Sequence, residues 1–469
     1  MNIKIKKFLK NISYSFIANI ISMIISVISV VFLPKFMNLE DYGVWQLYLF
    51  YAAYLNYFHF GWLDGICLKY GGYYFEKLDK VKFTSQFILL FFVELIISII
   101  GIILINLFIE NYFTKQVLLF ASYILVPVMI FNFINITLQI TNKIKGYVYM
   151  NLFGKILFFI SLIIYLIINN RSYIELIYLD IISKFLVLFY GIYLIKKLLV
   201  SKIDNINNVF EEMKENIFIG SKLLIANIAG VSILGIIRFA ISQKWNIEVF
   251  GKISFILSCS MFFFVFISAM GMVFFPFIKR MEKSKIRDFY IIMRKGLTII
   301  LLGGLLMYYP INRILSWWLP KYQDSLIYMV ILLPICIFEG KVSLLINNYL
   351  KSLRKEKIMM KINVGVVIIS CLLSYISTVL LHDLNIAVIS ILLLFIIKSV
   401  FLEVVLVKIL KVQIKRDILE EFILVILFII INFSDLNIFI KFVGYFMIYI
   451  IYLFINKTTL MILLKKIKT

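Results

Sequence analysis

The chain has 469 residues, of which 63% are hydrophobic and only 16% are charged. Soluble domains carry about 25% charged residues, so this composition excludes a water-soluble fold. The formal net charge of +23 would indicate nucleic acid as the partner of a soluble protein, but here the basic residues lie between apolar runs, which favours an anionic membrane surface and no nucleic acid.

Fourteen apolar runs follow one another along the chain, most of them near the ~20 residues that a membrane-spanning helix needs. The first run follows a basic start, residues 4–10, and lacks a small-residue cleavage site, so we interpret it as a retained span and not a signal peptide. The runs are residues 12–33, 43–67, 83–109, 116–139, 147–169, 173–195, 217–241, 250–277, 290–311, 325–350, 360–381, 384–407, 418–433 and 436–455. The sequence therefore predicts an all-α polytopic membrane protein with about fourteen transmembrane helices.

The basic residues alternate between the two sides of these spans. If the N-terminus is cytoplasmic, the cytoplasmic segments and adjoining helix ends hold 35 of the 48 Lys and Arg, and five more lie inside spans. The eight on the outer side are Lys35, Lys115, Arg171, Lys244, Lys252, Arg313, Lys321 and Lys441. This asymmetry predicts a multi-pass protein of the cell membrane with both termini in the cytoplasm.

Neither the loops nor the cysteines indicate a catalytic or metal-binding domain. No loop is longer than roughly twenty residues, far short of a domain of ~50 residues. Four cysteines and two histidines stand singly in apolar stretches without a CxxC pair, so we predict no metal site, no disulfide framework and no cofactor. We therefore predict that the protein is not an enzyme.

An internal repeat relates two parts of the chain. Residues 38–43 after the first span correspond to residues 246–251 after the seventh, and residues 143–151 correspond to residues 355–363. Because six spans separate the copies, both halves run in the same direction through the membrane. We predict an N-terminal six-helix lobe, residues 1–200, a parallel C-terminal six-helix lobe, residues 201–411, and two additional transmembrane helices, residues 412–469.

Short motifs in both halves of the sequence resemble those of a known family, the polysaccharide-biosynthesis flippases. The first half contributes Pro34, the stretch from Glu40 to Trp45, and Gly61 and Gly65; the second contributes Gly220, Arg238, Phe250, Gly251 and the segment Val273 to Phe277. These flippases, which include those for O-antigen and capsule repeat units, belong to the multidrug/oligosaccharidyl-lipid/polysaccharide exporter (MOP) superfamily. In that family an acid often precedes the arginine of span seven, where this chain has Ile237.

The resemblance implies a transport function. Its substrate would be an undecaprenyl-pyrophosphate-linked oligosaccharide repeat unit of lipopolysaccharide or capsule, flipped from the cytoplasmic to the outer leaflet by alternating access through a cationic central cavity. Further partners would be the bilayer itself, an H⁺ or Na⁺ counter-ion and the polysaccharide polymerase machinery. Arg238 enters as a substrate-pathway candidate on this resemblance.

Ionisable residues inside the spans supply the other candidates for a substrate pathway. Each costs roughly 2.5–3.5 kcal/mol if it faces lipid, so most must face one another or a hydrated cavity. Asp180 and Lys184, four apart on one helix, can neutralise each other. The remaining candidates are Glu94, Lys155, Glu339, Lys341 and Lys398. The three lysines among them could line the pathway or could instead pair with Glu94 or Glu339 in the core. We interpret Glu403 as an interface residue and His59 as a core histidine.

Two other functions compete with a flippase for oligosaccharide repeat units, and a lipid II flippase is a closer relative that has to be excluded as well. A drug/cation antiporter of the same superfamily typically needs a carboxylate in an early helix, but residues 12–33 contain no acid. A membrane-embedded polysaccharide polymerase or glycosyltransferase usually presents a long outer loop, and every outer loop here is short.

Overall fold

The protein is helical throughout the part that the structure describes. This computed structural model describes the backbone of residues 3–167 and 172–457, and side chains over the same ranges except residues 3–16, 263–277, 279–280 and 283–285. Within these ranges the regular elements are helices, and no strand occurs. The predicted all-α class is confirmed.

The first of two compact units comprises Met1–Ile228. Its helices are α1 (Ile3–Phe36), α2 (Leu39–Leu55), α3 (Trp62–Tyr70), α4 (Lys80–Phe108), α5 (Tyr112–Ile140), α6 (Ile144–Ile167), α7 (Tyr173–Leu199) and the first part of α8 (Ile206–Lys244). The predicted end of the N-terminal lobe, residue 200, coincides with the end of α7. The division between the compact units instead falls inside α8.

The second compact unit comprises Ala229–Thr469. After the rest of α8, its helices are α9 (Ile247–Arg280), α10 (Lys283–Gly304), α11 (Tyr308–Trp318), α12 (Ile327–Leu332), α13 (Ile335–Lys341), α14 (Asn347–Ser352), α15 (Glu356–Tyr375), α16 (Leu384–Leu410), α17 (Lys415–Phe433) and α18 (Ile438–Ile455). The two additional C-terminal spans that the sequence predicts correspond to α17 and α18.

Helices occupy most of each of the fourteen predicted runs in the part of the chain that the structure describes. By length and composition ten helices qualify as membrane spans, and an eleventh is formed by residues 320–332 and 335–352, which meet at a bend of 41°. The other three predicted spans are formed by α2 with α3, by α9 and by α17. The protein is therefore a multi-pass membrane protein.

Each unit has one helix that is more enclosed than its neighbours. In the first unit 56% of the most apolar stretch of α5 is buried inside the protein, against 17% for α4. In the second unit the corresponding values are 56% for α16 and 11% for α18. Apolar side chains on the peripheral helices are exposed because lipid, and not water, is their solvent.

The internal repeat is visible in the starts of α2 and α9. The side chain of Asn38 accepts a hydrogen bond from the Asp41 amide at 2.7 Å, and Asn246 accepts one from the Val249 amide at 2.9 Å. An asparagine at this position satisfies an amide that the first helical turn leaves without a partner. The two repeat copies therefore begin a helix with the same cap.

The second repeated segment has the same helix end in both copies. Asn142 and Arg354 adopt left-handed backbone conformations with φ of 56° and 54°. The amide of the next residue then bonds five residues back, from Lys143 to Leu138 at 2.9 Å and from Lys355 to Leu350 at 2.8 Å. This is the Schellman arrangement, which closes a helix when one residue is left-handed.

The second predicted span is broken and not continuous. Between α2 and α3, Phe60 and Gly61 have positive φ angles of 50° and 91°. The Gly61 amide donates to Nδ1 of His59 at 3.0 Å, and that histidine is buried. His59 is thus a satisfied core histidine, and it compensates the backbone at the break.

Glycines bring α3 and α8 into backbone contact within the first unit. A Cβ atom on Gly65 would lie 1.9 Å from the Asn216 carbonyl oxygen, and one on Gly220 would lie 2.0 Å from the Gly61 carbonyl oxygen. Small residues four apart, here Gly61 and Gly65, are a usual means of close helix crossing in membranes. Three of the glycines that carry the family resemblance are therefore required by packing.

Candidate functional site

The first unit contains a cavity of about 340 Å³ among its membrane helices. Residues of α2, α5, α6 and α7 line the cavity, and they include three charged side chains, Lys155, Asp180 and Lys184. The remaining lining is a mixture of amide, aromatic and aliphatic groups. All three charged residues were candidates from the sequence.

Asp180 and Lys184 form an ion pair within α7. Asp180 is buried, and Lys184, one turn later, bonds to its Oδ2 atom. Tyr48 of α2 donates its hydroxyl to the same oxygen at 2.6 Å and lies 3.4 Å from Nζ of Lys184. The negative charge of Asp180 is therefore already satisfied, by the helix neighbour that the i,i+4 spacing predicts and by a tyrosine that the spacing could not identify.

Lys155 is the third charged group of the cavity and lies near the middle of α6. It stands eleven residues after the start of the helix, which corresponds to ~16 Å along the axis. The side chain is exposed, and among the described residues no carboxylate lies within 4 Å of its ammonium group. Lys155 therefore brings an uncompensated positive charge into the cavity.

Amide side chains form a polar part of the cavity wall. Asn132 of α5 donates to Oδ1 of Asn56 at 2.9 Å. Asn151, one turn before Lys155 on α6, donates to Oδ1 of Asn135 at 2.9 Å and to the Tyr147 carbonyl. Each amide carries both donors and acceptors, so the wall can bond to hydroxyl groups in either direction.

An aromatic stack supports the α6 side of the cavity. Phe158, which lines the cavity one turn after Lys155, stacks on Trp45 of α2 with ring centroids 6.0 Å apart and planes 6° apart. Trp45 is buried. The stack fixes an apolar ring face beside the lysine.

The arrangement defines what the cavity can bind. Two lysines and one aspartate give it a net charge of +1, and the surrounding amides and rings suit neutral polar groups. In a low-dielectric setting an uncompensated cation attracts an anionic ligand strongly. The cavity is therefore complementary to a ligand with a negatively charged part and a hydroxyl-rich part.

The second unit contains a separate group of buried charges. Arg294 of α10, Lys341 of α13, Glu403 of α16 and Glu421 of α17 are each at most 3% exposed. Arg294 Nε lies 2.7 Å from Glu403, and Lys341 Nζ lies 3.1 Å from Glu403 and 2.7 Å from Glu421. We call these four residues the buried quartet. It is electrically neutral and links four helices.

The quartet changes the interpretation of several residues. Glu403, expected at the interface, is 1% exposed and accepts bonds from Arg294, Lys341 and Tyr290, so the interface prediction is wrong. Lys341 is enclosed by two carboxylates. Arg294 and Glu421 were not among the candidates from the sequence.

Lys398 and Glu339 form a second ion pair in the same unit. The ammonium group of Lys398 lies 2.8 Å from Oε2 and 3.1 Å from Oε1 of Glu339. This is the core pairing that the sequence left open as the alternative to a place in the pathway. The pair joins α13 to α16.

The remaining two candidates, Glu94 in the first unit and Arg238 in the second, belong neither to the cavity lining nor to the quartet. Arg238 of α8 donates to the Ser254 hydroxyl at 3.0 Å and lies over the Phe250 ring at 5.5 Å. Glu94 of α4 is 1% exposed, and its Oε2 has no hydrogen-bond partner among the described residues. Of the eight candidates, the structure brings Lys155, Asp180 and Lys184 together at the cavity of the first unit, and it pairs Glu339 with Lys398 in the second unit.

Some sequence-based predictions lie outside the described residues. Arg171 does, as do the side chains of residues 273–277, which contribute to the family resemblance. The basic side chains of residues 4–10 and 465–468 do as well, so the cytoplasmic position of the two termini stays a prediction.

The helices, their repeat and their buried charges define the chain as a polytopic α-helical membrane protein with a repeated architecture. No family model and no curated protein matches the sequence. Among solved structures it is similar to the lipid II flippase MurJ in an inward closed conformation, with 15% identity, a TM-score of 0.64, and coverage of 96% of this chain and 100% of that one. It is also similar to a multidrug resistance MATE family transporter of the MOP superfamily in an inward-facing conformation, with 10% identity, a TM-score of 0.58, and coverage of 84% and 99%. The chain therefore has the fold that these two solved structures share.

Proposed function

We propose that this protein is a flippase for undecaprenyl-pyrophosphate-linked oligosaccharide repeat units, moving them from the cytoplasmic to the outer leaflet of the cell membrane. The observation that carries the proposal is the uncompensated ammonium group of Lys155 in the cavity of the first unit. The membrane position, the fold and the sequence resemblance to polysaccharide flippases support it.

Electrostatics favours an anionic substrate. Transferring a pyrophosphate out of water requires cations that replace its hydration. Lys155 supplies one that has no carboxylate within 4 Å in the part of the chain that the structure describes. Lys184 lies in the same cavity, where Asp180 and Tyr48 hold it. An ammonium group binds phosphate as a compact point charge without demanding one orientation, which suits a substrate in transit.

The neutral part of the lining favours a sugar. Asn56, Asn132 and Asn151 can exchange hydrogen bonds with hydroxyl groups, and Phe158 offers a supported ring face beside them. In this proposal the polyprenyl chain stays in lipid while the head group passes through the polar cavity. No covalent bond is made or broken.

The positive cavity also separates the flippase from the competing antiporter. An organic cation would be repelled by the net charge of +1, and Asp180, the carboxylate of the cavity, is already paired with Lys184. Fold similarity to a MATE transporter does not transfer that protein's substrate to this chain. The flippase is therefore the function that the residues favour.

A transport assay with Lys155 variants tests the proposal. We expect Lys155→Met to slow the transfer of a fluorescent polyprenyl-pyrophosphate oligosaccharide between liposome leaflets by about tenfold or more. A hydrogen bond to a charged group contributes about 1.5–3 kcal/mol, which corresponds to this loss. Lys155→Arg, which keeps the charge, should retain most of the rate.

A compensating variant separates the charge of the cavity from the identity of the lysine. Lys155→Met/Asp180→Asn restores the net charge to +1 because Lys184 is then released from its partner. We expect it to recover part of the transfer rate, with Lys155→Met as the reference. Equal rates in the wild type and Lys155→Met would refute the cavity assignment. Export of an organic cation without transfer of the oligosaccharide would favour the antiporter.

A further inference from the structure

The first unit contains a second cavity, which is not part of the proposed transport site. Its volume is about 720 Å³, and it lies among the segment before α4, the α5–α6 turn and the end of α7. Its lining includes four lysines and a single carboxylate, Glu76. The lysines are Lys80, Lys143, Lys145 and Lys197. We call it the basic pocket. All the segments that contribute lysines belong to the predicted cytoplasmic face.

Backbone hydrogen bonds fix the position of the α5–α6 turn, which carries Lys143 and leads to Lys145. The left-handed Asn142 ends α5, and the Lys143 amide bonds back to the Leu138 carbonyl at 2.9 Å. The Gly72 amide bonds to the Ile140 carbonyl at 3.0 Å, which ties the preceding loop to the same helix end. The pocket is therefore built from a defined turn and not from unconnected surface lysines.

The charge of the pocket is strongly positive. Lys143 Nζ lies 3.0 Å from Glu76 and 5.0 Å from the centre of the Phe75 ring. The hydrogen bond from Lys143 lowers the pKa of the Glu76 carboxyl, with Lys197 adding a smaller electrostatic contribution, so Glu76 is ionised at neutral pH. Four lysines and one carboxylate leave a net charge of +3.

Apolar surface adjoins this charge on two sides. Phe75, Leu138, Leu194 and Leu198 form part of the pocket wall. On α7, Tyr193 and Phe189 lie four and eight residues before Lys197 and are 61% and 65% exposed. Residues at this spacing share a helix face, so an exposed apolar stripe leads directly to Lys197.

We propose that the basic pocket binds the phosphate of an anionic membrane lipid, whose chain lies along the exposed stripe of α7. Lysines at a membrane surface attract anionic head groups, and the adjoining aromatic residues suit the region between head groups and chains. A soluble phosphate would use the lysines but not the stripe. The proposal does not depend on the flippase function, because binding is measured without transport.

Lipid binding to charge variants of the full chain tests the proposal. Phosphatidylglycerol is titrated into the detergent-solubilised protein, and bound lipid is counted by native mass spectrometry, with phosphatidylcholine as the uncharged reference lipid. Each lysine near an anionic lipid contributes about fivefold in affinity. We therefore expect Lys80→Gln/Lys197→Gln to bind phosphatidylglycerol about 25-fold more weakly, with no change for phosphatidylcholine.

Nearby lysines outside the pocket supply a matched control. Lys77 and Lys202 lie close to the substituted pair in sequence but are not part of the lining. Lys77→Gln/Lys202→Gln removes the same charge from the same face and should bind within about twofold of the wild type. Equal losses in both double variants, or no loss in either, would refute the pocket.

Competition with soluble phosphate shows whether the pocket binds the phosphate of a lipid or free phosphate. Inorganic phosphate in large excess should displace little phosphatidylglycerol, because it lacks the contact with Tyr193 and Phe189. Complete displacement would overturn the lipid assignment and leave a site for free phosphate. Unchanged thermal unfolding of each variant confirms that the comparison is made between folded proteins.

Discussion

Glu403→Ala is expected to destabilise the second unit by about 3–5 kcal/mol, the usual cost of removing one partner from a buried ion pair. Glu403 accepts from Arg294 at 2.7 Å and from Lys341 at 3.1 Å. Without it, Glu421 alone faces two cations in a site that is at most 3% exposed. One positive charge is then buried without compensation.

The loss is measurable as a fall in the unfolding temperature of the purified protein in detergent. Since 1 kcal/mol corresponds to about 2–4 °C for a unit of this size, the expected fall is roughly 6–20 °C. Arg416→Ala is the control, because Arg416 is 79% exposed and pairs with Glu420 one turn away on α17. Exposed pairs of this kind contribute about 0.3–0.5 kcal/mol, so that variant should unfold close to the wild-type temperature.

A variant in which all four quartet residues are apolar shows whether Glu403→Ala is unstable because a buried charge has lost its partner or because the site is no longer filled. Replacing Arg294 and Lys341 with Met and both glutamates with Leu removes every charge while filling the site. Apolar replacement of a whole buried ion network is often neutral or stabilising, so stability should return toward the wild type. If this variant were as unstable as Glu403→Ala, packing and not charge would be the cause.

The spans and the repeat could be predicted from the sequence because both depend on local patterns. Apolar length sets the position of a membrane helix whatever its neighbours. Asn38 and Asn246 were recognisable as equivalent because a cap uses the side chain of one residue and amides within the next turn. The break between α2 and α3 was missed because aromatic residues carry the apolar run across it, although Asn56, His59 and Gly61 lie there as well.

The candidate site was predictable only where partners are close in sequence. Asp180 and Lys184 share a helix face, so their pairing follows from spacing. Lys155 stood out because its own helix offers no acid. Glu403 and Glu421 lie 62 and 80 residues from Lys341, and only the packing of α13 against α16 and α17 brings them together. Counting residues from Lys408 placed Glu403 near the interface but could not reveal the helices that enclose it.

Gly65→Ala is expected to destabilise the first unit by about 1–3 kcal/mol, although it adds a single methyl group. The new Cβ would lie 1.9 Å from the Asn216 carbonyl oxygen, and that atom belongs to the backbone of α8 and cannot rotate away. The helices must separate, which is the mechanism by which overpacking destabilises a core. Gly365→Ala on α15 is the control, because nothing lies within 4 Å of its Cβ position and alanine favours a helix. Thermal unfolding should therefore fall for Gly65→Ala and stay unchanged or rise for Gly365→Ala.

The same separation predicts a coupling with the ion pair next to the crossing. Lys69 lies one turn after Gly65 on α3, and its ammonium group is 2.9 Å from Glu212, which lies one turn before Asn216 on α8. If the added methyl group drives the helices apart, this contact is lost together with the close crossing. Lys69→Ala should then lower the unfolding temperature in the wild type but have almost no further effect in Gly65→Ala, since residues that share a contact are not additive. Fully additive losses would mean that the crossing absorbs the methyl group locally and that the glycine is not what holds α3 against α8.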